Sequence, residues 1–281
     1  MSERRQLINV AYRLLGSLAD AEDVVQETYA RWYALTPAQR DEIESPVAWM
    51  TRVASRICLD VLGSARVRRE RYVGEWLPEP VPDEGSATDP ADRITLDESV
   101  NMAFMVVLES MTSAERVAFI LHDVFRYSFA EVAEVVGRTP AACRQLASSA
   151  RRRVRTSPAP ATPPTRAGAI VRDFKEAWQA GDINALVALL DPDAKAVADG
   201  GGLVEATLHP IVGAEEIARG LMTILARMRD MTMLLRTVNG RPGLVLQQDG
   251  VTGTVMAFDI DGDRITRIWA IRNPEKLRPW T

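Results

Sequence analysis

The sequence predicts a multidomain fold: two all-α helical domains, the second holding a helix-turn-helix, followed by a C-terminal α+β domain. Three observations carry this reading. Apolar residues recur at helical spacing through residues 1–72 and again through 93–155. Proline-rich stretches at 76–92 and 156–165 punctuate those segments. After Met231, β-like runs alternate with Asn239-Gly240, Asp249-Gly250 and Asp261-Gly262, dipeptides that suit tight hairpins.

In the first segment Leu7, Ile8, Ala11, Leu14, Leu15 and Leu18 form one apolar helical face. Asp20 is the expected N-cap of a second helix, whose first-turn acids the helix dipole favours. Pro46 opens a third helix that runs to Tyr72. In residues 129–152, Ala133 lets two helices cross closely and Gly137 supplies the φ > 0 turn between them. Thr139 caps the second of these helices and Pro140 sits at its first position, where a missing N–H does no harm. Val132, Val136, Cys143 and Leu146 are spaced to bury one face, so Arg144, Gln145, Ser148, Ser149, Arg151 and Arg152 point outward. A short polar helix of this kind fits a major groove, with a plain helical hairpin ending in solvated arginines as the alternative. In the last segment, residues 167–190 read as two helices broken at Gly181-Asp182, and 213–228 as one more.

The formal net charge of −4 argues against a chain coated in positive charge, but its charges are segregated. Residues 138–155 hold six arginines and no acid, and residues 52–72 six arginines against Asp60 and Glu70. The connector at 75–98 holds eight acids and one arginine. Two basic patches on either side of an acidic connector predict two salt-sensitive contacts with a polyanion. Cys58 and Cys143, the only cysteines, make neither a metal site nor a disulfide framework, which suits a reducing compartment. The N-terminus has no signal-peptide pattern, and the longest apolar run, Met102 to Leu108, is too short for a bilayer. The expected location is the cytoplasm.

Three stretches of the first 155 residues, DAEDVVQETYARWY (20–33), SPVAWMTRVASRICLD (45–60) and the helix-turn-helix, resemble sigma factors of the extracytoplasmic-function type. Residues 166–281 resemble a SnoaL-like domain of the nuclear-transport-factor-2 superfamily, a cone-shaped α+β fold, through AWQAGDINALVALLDPDAKAVADGGG and the terminal hairpins. The motifs WLPEP (Trp76, Leu77, Pro78, Glu79, Pro80), DGGG (Asp199, Gly200, Gly201, Gly202) and NPEKL (Asn273, Pro274, Glu275, Lys276, Leu277) are similar to those of sigma factors with such a domain fused.

The resemblance implies five segments: a region 2 domain (1–74), a linker with WLPEP (75–92), a region 4 domain (93–156), a proline-rich linker (157–165) and a SnoaL-like regulatory domain (166–281). It implies core RNA polymerase and promoter DNA as partners. Asp23, Gln26 and Glu27 would face the polymerase, while Val24, Val25 and Tyr29 pack inward. Trp49, Arg52, Arg56, Arg66, Arg68, Arg69 and Arg71, with Tyr72, would melt and hold the −10 element, since a flipped base needs an apolar pocket with cations nearby. Trp49 reads equally well as core. Arg138, Thr139, Arg144, Gln145, Ser148, Arg151 and Arg152 would serve the −35 element, the front of the helix specifying and the arginine run anchoring.

The fused domain is expected to regulate in place of a separate anti-sigma partner, its DGGG loop and NPEKL tail clasping the WLPEP linker. Asp199 before three glycines marks a loop that another backbone can approach. Asp193, Asp199 and His209 are the candidates for a general base, but no set of acid, base and oxyanion donor is readable. No enzyme activity and no cofactor are expected. A small-molecule ligand in the cone is a further possibility, with Trp178 and Trp269 as lining or core. The alternative function is a stand-alone helix-turn-helix regulator fused to a ligand-binding or enzymatic domain. Binding to core polymerase distinguishes the two.

Overall fold

The computed structural model describes residues 3–69, 72–82, 100–156, 162–227 and 230–280. The chain forms two compact units, one from residues 3–69 and 104–156, the other from 72–82, 100–103 and 162–280.

Among the described residues, the first unit has only helices as its regular structure. Helix α1 (Glu3–Leu15) is buried around its whole circumference, Asn9 and Arg13 included, rather than along one face. The reason is that it packs against helices α2 (Leu18–Ala34) and α4 (Pro46–Arg69) and against a π-helical turn at Ile120–Val124. Arg13 is tolerated there because its guanidinium donates to Asn9 Oδ1 at 2.8 Å and lies over the Phe125 ring. The cap of α2 is Ser17, not Asp20: Gly16 turns the chain at φ 71°, and Ser17 Oγ accepts the Asp20 N–H. Short α3 (Pro37–Asp41) follows, closed by a Thr36–Gln39 capping box.

Helices α5 (Met102–Glu109), α6 (Ser113–Phe119), α7 (Phe129–Val136) and α8 (Pro140–Thr156) follow. Arg116 of α6 is 2% exposed and ties the set together. Its guanidinium donates to the carbonyls of Leu14 and Leu108 and pairs with Glu109 at 2.8 Å. These bonds engage both terminal nitrogens, while the buried Nε is left without a hydrogen-bond partner, so losing any one of them would be costly.

The second unit is α+β. Helices α9 (Pro164–Ala180), α10 (Ile183–Leu189) and α11 (Ala214–Arg227) pack on one face of a six-stranded sheet. The strands are β1 (Leu190–Asp199), β2 (Ile211–Val212), β3 (Thr232–Val238), β4 (Arg241–Gln248), β5 (Val251–Asp261) and β6 (Arg264–Ile271), in the order β2-β1-β6-β5-β4-β3. The expected helix break is present: Gly181 takes φ 69° and Asp182 caps α10. Asn239 and Asp249 adopt φ 51° and 52°, each followed by a left-handed glycine, so both hairpins turn where the dipeptides indicate.

Strand β1 was not foreseen. Its Asp191-Pro192-Asp193 start and small residues hide it, and its long-range partner is the parallel strand β6. On the helix side, Phe174 meets Trp178 and Phe258 edge-on in a closed core. Trp178 is therefore core, and its indole N–H donates to the Leu221 carbonyl.

The opposite sheet face also buries side chains, one of them a carboxylate. Val245, Val255, Ile271 and Asp199 form one cross-strand row over β4, β5, β6 and β1, beside a second row of Ala257 and Trp269. All six are buried. Residues 72–82 and 273–280 hydrogen-bond to Asp199, Asn239 and Thr252 on this unit.

Candidate nucleic-acid interface and linker clasp

The helix-turn-helix forms at the expected residues. Ser128 caps α7 in a reciprocal box with Glu131, Gly137 takes φ 70°, and Thr139 Oγ1 accepts the Ala142 N–H to start α8. The buried stripe of α8 is Cys143, Ala147 and Ala150, facing Val132 and Val135 of α7. Leu146 and Val136, expected in that stripe, are half-buried, because the small Cys143, Ala147 and Ala150 at i, i+4 and i+7 take the contact face instead. Arg138, Thr139, Arg144, Gln145, Ser148 and Arg152 are all exposed.

Two arginines carry contacts that a helical wheel does not reveal. Arg144 lies 5.2 Å over the Phe129 ring, which itself stacks on His122. Arg151 forms a two-point ion pair with Asp123 at 2.6 and 3.2 Å, bracing α8 against the π-helical turn.

On α4, Arg52 and Arg56 are exposed, and Arg52 pairs with Glu134 of α7 at 2.8 Å. Trp49 is half-buried, its ring 5.3 Å from Trp32, which satisfies neither extreme of the two readings it had. Arg66, Arg68 and Arg69 lie on α4, but their side chains are outside the described part, as is the whole of Arg71. On α2, Asp23, Gln26 and Glu27 are exposed, while Val24 and Val25 are buried and Tyr29 is partly so.

The WLPEP segment is not a solvated spacer. Leu77 to Val81 are buried within the second unit, Leu77 and Glu79 to 3% and 5% exposure. Asp199, with no exposed surface, is the hub. Its carboxylate accepts from Tyr72 Oη at 2.6 Å, the Leu77 N–H at 2.8 Å, the Gly201 N–H at 3.1 Å and Lys276 Nζ at 2.7 Å. Lys276 also donates to the Leu77 carbonyl at 2.5 Å and sits 4.1 Å from the centre of the Trp76 ring. Asn273 Nδ2 donates to Tyr72 Oη at 2.9 Å, and Asn273 Oδ1 caps the short 3₁₀ turn Pro274–Lys276 that aims the lysine. Burial, then the bond to Asp199, raise the Tyr72 hydroxyl above its ordinary range, so it stays a donor.

The glycines of the motif have separate jobs. A Cβ on Gly200 would strike the Val204 carbonyl, one on Gly201 (φ 64°) would overlap Asn273, and one on Gly202 (φ 72°) would press on Val73. Further along, the Pro80 carbonyl accepts from Trp280 Nε1 at 2.9 Å. Val81 exchanges two hydrogen bonds with Asn239, and Pro82 bridges to Val238 at the end of β3. The prolines at 78, 80 and 82 have no N–H to leave unpaired.

Tyr72, grouped by the sequence with the −10 arginines, thus belongs to this clasp. Asn239 and Trp280 were missed outright. The hairpin turn alone accounts for an asparagine at 239, so the sequence carries no signal of its second task. Of the general-base candidates, Asp199 is committed to Tyr72 and Lys276, and Asp193 and His209 are exposed. Among the described residues, no cluster of three or more His, Cys, Asp or Glu side chains is arranged to hold a metal ion, and no helix is long and apolar enough to cross a membrane.

These two helical elements and their order define a class. Residues 1–71 match Sigma-70 region 2 and residues 101–154 match Sigma-70, region 4. The chain belongs to the extracytoplasmic-function RNA polymerase sigma factors: it directs core RNA polymerase to promoters for transcription initiation.

Within that family it is similar to the ECF RNA polymerase sigma factor SigJ of Mycobacterium tuberculosis. The two share 39% identity over 286 residues, spanning 98% of this chain and 90% of the relative. A probable sigma factor SigI of the same species is 34% identical, over 99% of this chain and 93% of its own length. The crystal structure of M. tuberculosis SigJ superposes with a TM-score of 0.80 at 36% identity, covering 99% of this chain and 96% of that one.

Proposed function

We propose that the SnoaL-like domain regulates this sigma factor from within the same chain by gripping the linker that follows region 2. The observation that carries the reading is the buried Asp199–Lys276–Tyr72 cluster closed around the Leu77 main chain. Its lysine and carboxylate come from the regulatory domain, and what they bind is the exit of region 2. An extended, proline-stiffened segment binds this way with little entropy to lose.

In the same reading, Asp23, Gln26 and Glu27 face the polymerase. Trp49, Arg52, Arg56 and Arg66 to Arg71 hold the melted −10 strand. Arg144, Gln145 and Ser148 read −35 base edges while Arg138 and Arg152 take phosphates. Arg151, held by Asp123, sets the angle of the recognition helix. The regulation needs no bound small molecule: Phe174, Trp178 and Phe258 fill the inner core with one another's rings. The protein acts in the cytoplasm and its regulatory domain is not catalytic.

The test is transcription in vitro with core RNA polymerase on genomic templates that include the chain's own upstream region. Trp76→Ala should change transcript yield severalfold in either direction while both units keep their melting transitions. Unchanged yield with core binding intact would refute the regulatory reading.

A further inference from the structure

One asparagine holds two points of the chain that lie 19 positions apart. Asn239 Oδ1 accepts the Val81 N–H at 3.0 Å, and Asn239 Nδ2 donates to the Val100 carbonyl at 2.7 Å. The Asn239 main-chain N–H also donates to the Val81 carbonyl at 2.8 Å. Asn239 is 1% exposed, and Val81 and Val100 are 5% and 0% exposed. Through one amide group, Val81 N and Val100 O are therefore held within about 8 Å of each other, given amide dimensions. Val81 lies in the linker after region 2, and Val100 lies two residues before α5, where the region 4 segment starts.

The length between them matters because the two DNA-reading domains must part. Residues 3–69 and 104–156 form one compact unit, in which Arg116 of α6 donates to Leu14 of α1 and Arg52 of α4 pairs with Glu134 of α7. A unit of that size is roughly 35 Å across. Elements centred near −10 and −35 are about 25 base pairs apart, or about 85 Å along B-DNA. Nineteen residues span up to about 63 Å when extended, against the 8 Å or so allowed while both ends are pinned.

We infer that Asn239 is a latch that withholds this linker length, and that releasing Val100 is a required step between the compact unit and a sigma factor bound to both promoter elements. The inference rests on the regulatory reading above and assigns it a residue and a moving part. It also gives a function to a turn position whose φ of 51° any Asn-Gly hairpin would need.

The chemistry of the turn supplies a clean test. Asn239→Asp suits the same left-handed backbone and keeps an acceptor for Val81, but it loses the donor to Val100 and sets a carboxylate against that carbonyl. Asn239→Gly keeps the turn and loses both side-chain bonds. Donor and acceptor dyes on Gln39→Cys and Ala141→Cys, both exposed positions, report the separation of regions 2 and 4 in the full-length chain as core polymerase is added.

The core concentration at half-opening should fall about fivefold to tenfold in Asn239→Asp, the effect of one lost hydrogen bond and its replacement by repulsion. Asn239→Gly should shift it at least as far. Midpoints equal to the parent in both variants, with melting temperatures preserved, would overturn the latch. So would core binding that leaves the dyes close in the parent chain. The outcome for Trp76→Ala is independent: a silent Trp76 with a responsive Asn239 refutes the anchor and keeps the latch, and the converse result does the opposite.

Discussion

The helix-turn-helix and the linker clasp are both short, charge-bearing motifs, yet they spend their charges in opposite ways. Arg138 and Arg152 stay exposed, and their energetic value arises chiefly against a polyanion. Asp199 and Lys276 are buried against each other, with the Leu77 main chain and the Tyr72 hydroxyl completing their bonds. The first arrangement leaves the fold largely indifferent to these two residues, although the neighbouring Arg151 also braces its helix through Asp123. The second makes function and stability the same set of bonds, so a variant in the clasp must be read through both.

The sharpest way to break this contrast is to remove the hub. Asp199→Ala leaves the Lys276 ammonium buried without its carboxylate, and should destabilise the second unit by about 3–5 kcal/mol in urea unfolding. Tyr72→Phe removes the hydroxyl that donates to Asp199 and accepts from Asn273, and should cost about 1–3 kcal/mol in the same measurement. Ser128→Ala removes the cap of α7 and should lower the melting stability of the helical unit by about 1 kcal/mol.

At the small end, Arg152→Ala should leave stability within about 0.5 kcal/mol. It should still weaken holoenzyme binding to promoter DNA and reduce the slope of log K against log salt by about 1. An Arg152 variant that unfolds, or an Asp199 variant that does not, would erase the distinction.

Acid sensitivity sharpens it further. Hydrogen bonds from Ser128 hold the Glu131 carboxyl below its ordinary value, so its contribution is present above the ordinary glutamate range and is lost as pH falls through the lowered value. The Ser128→Ala variant should therefore lose less helical stability than the parent on acidification below about pH 4.

Sequence reading succeeded where the physics is local. Gly137, Thr139 and Pro140 mark the helix-turn-helix because capping and positive φ depend on neighbours in the chain. Asn239-Gly240 and Asp249-Gly250 mark hairpins for the same reason. The helical and α+β division, the motifs of the clasp and the exposure of Arg138, Arg144 and Arg152 were legible, whereas Arg151, expected outward, is half-buried against Asp123.

What escaped depends on partners far away in sequence. Strand β1 takes its register from parallel β6, some 70 residues on. Arg116 looks like a surface residue until Leu14 and Leu108 surround it. Helix α1 shows one apolar stripe, and its burial all round comes from packing against α2, α4 and the turn at 120–124 together. Asn239 is sufficient as a turn residue, which hides its bonds to Val81 and Val100. The clasp partners Asp199 and Lys276 were proposed as a motif, but the atoms that meet, Leu77 N–H and C=O, belong to the main chain and leave no trace in residue identity.

Amide hydrogen exchange at Leu77 and Val81 in the intact protein tests the central claim most directly. If the third domain grips the linker, both amides exchange as slowly as the sheet amides of β4 and β5, and Asp199→Asn speeds exchange at Leu77 before Val81. If both exchange at the rate of an unstructured chain in the parent protein, the linker is not held and the clasp account is wrong.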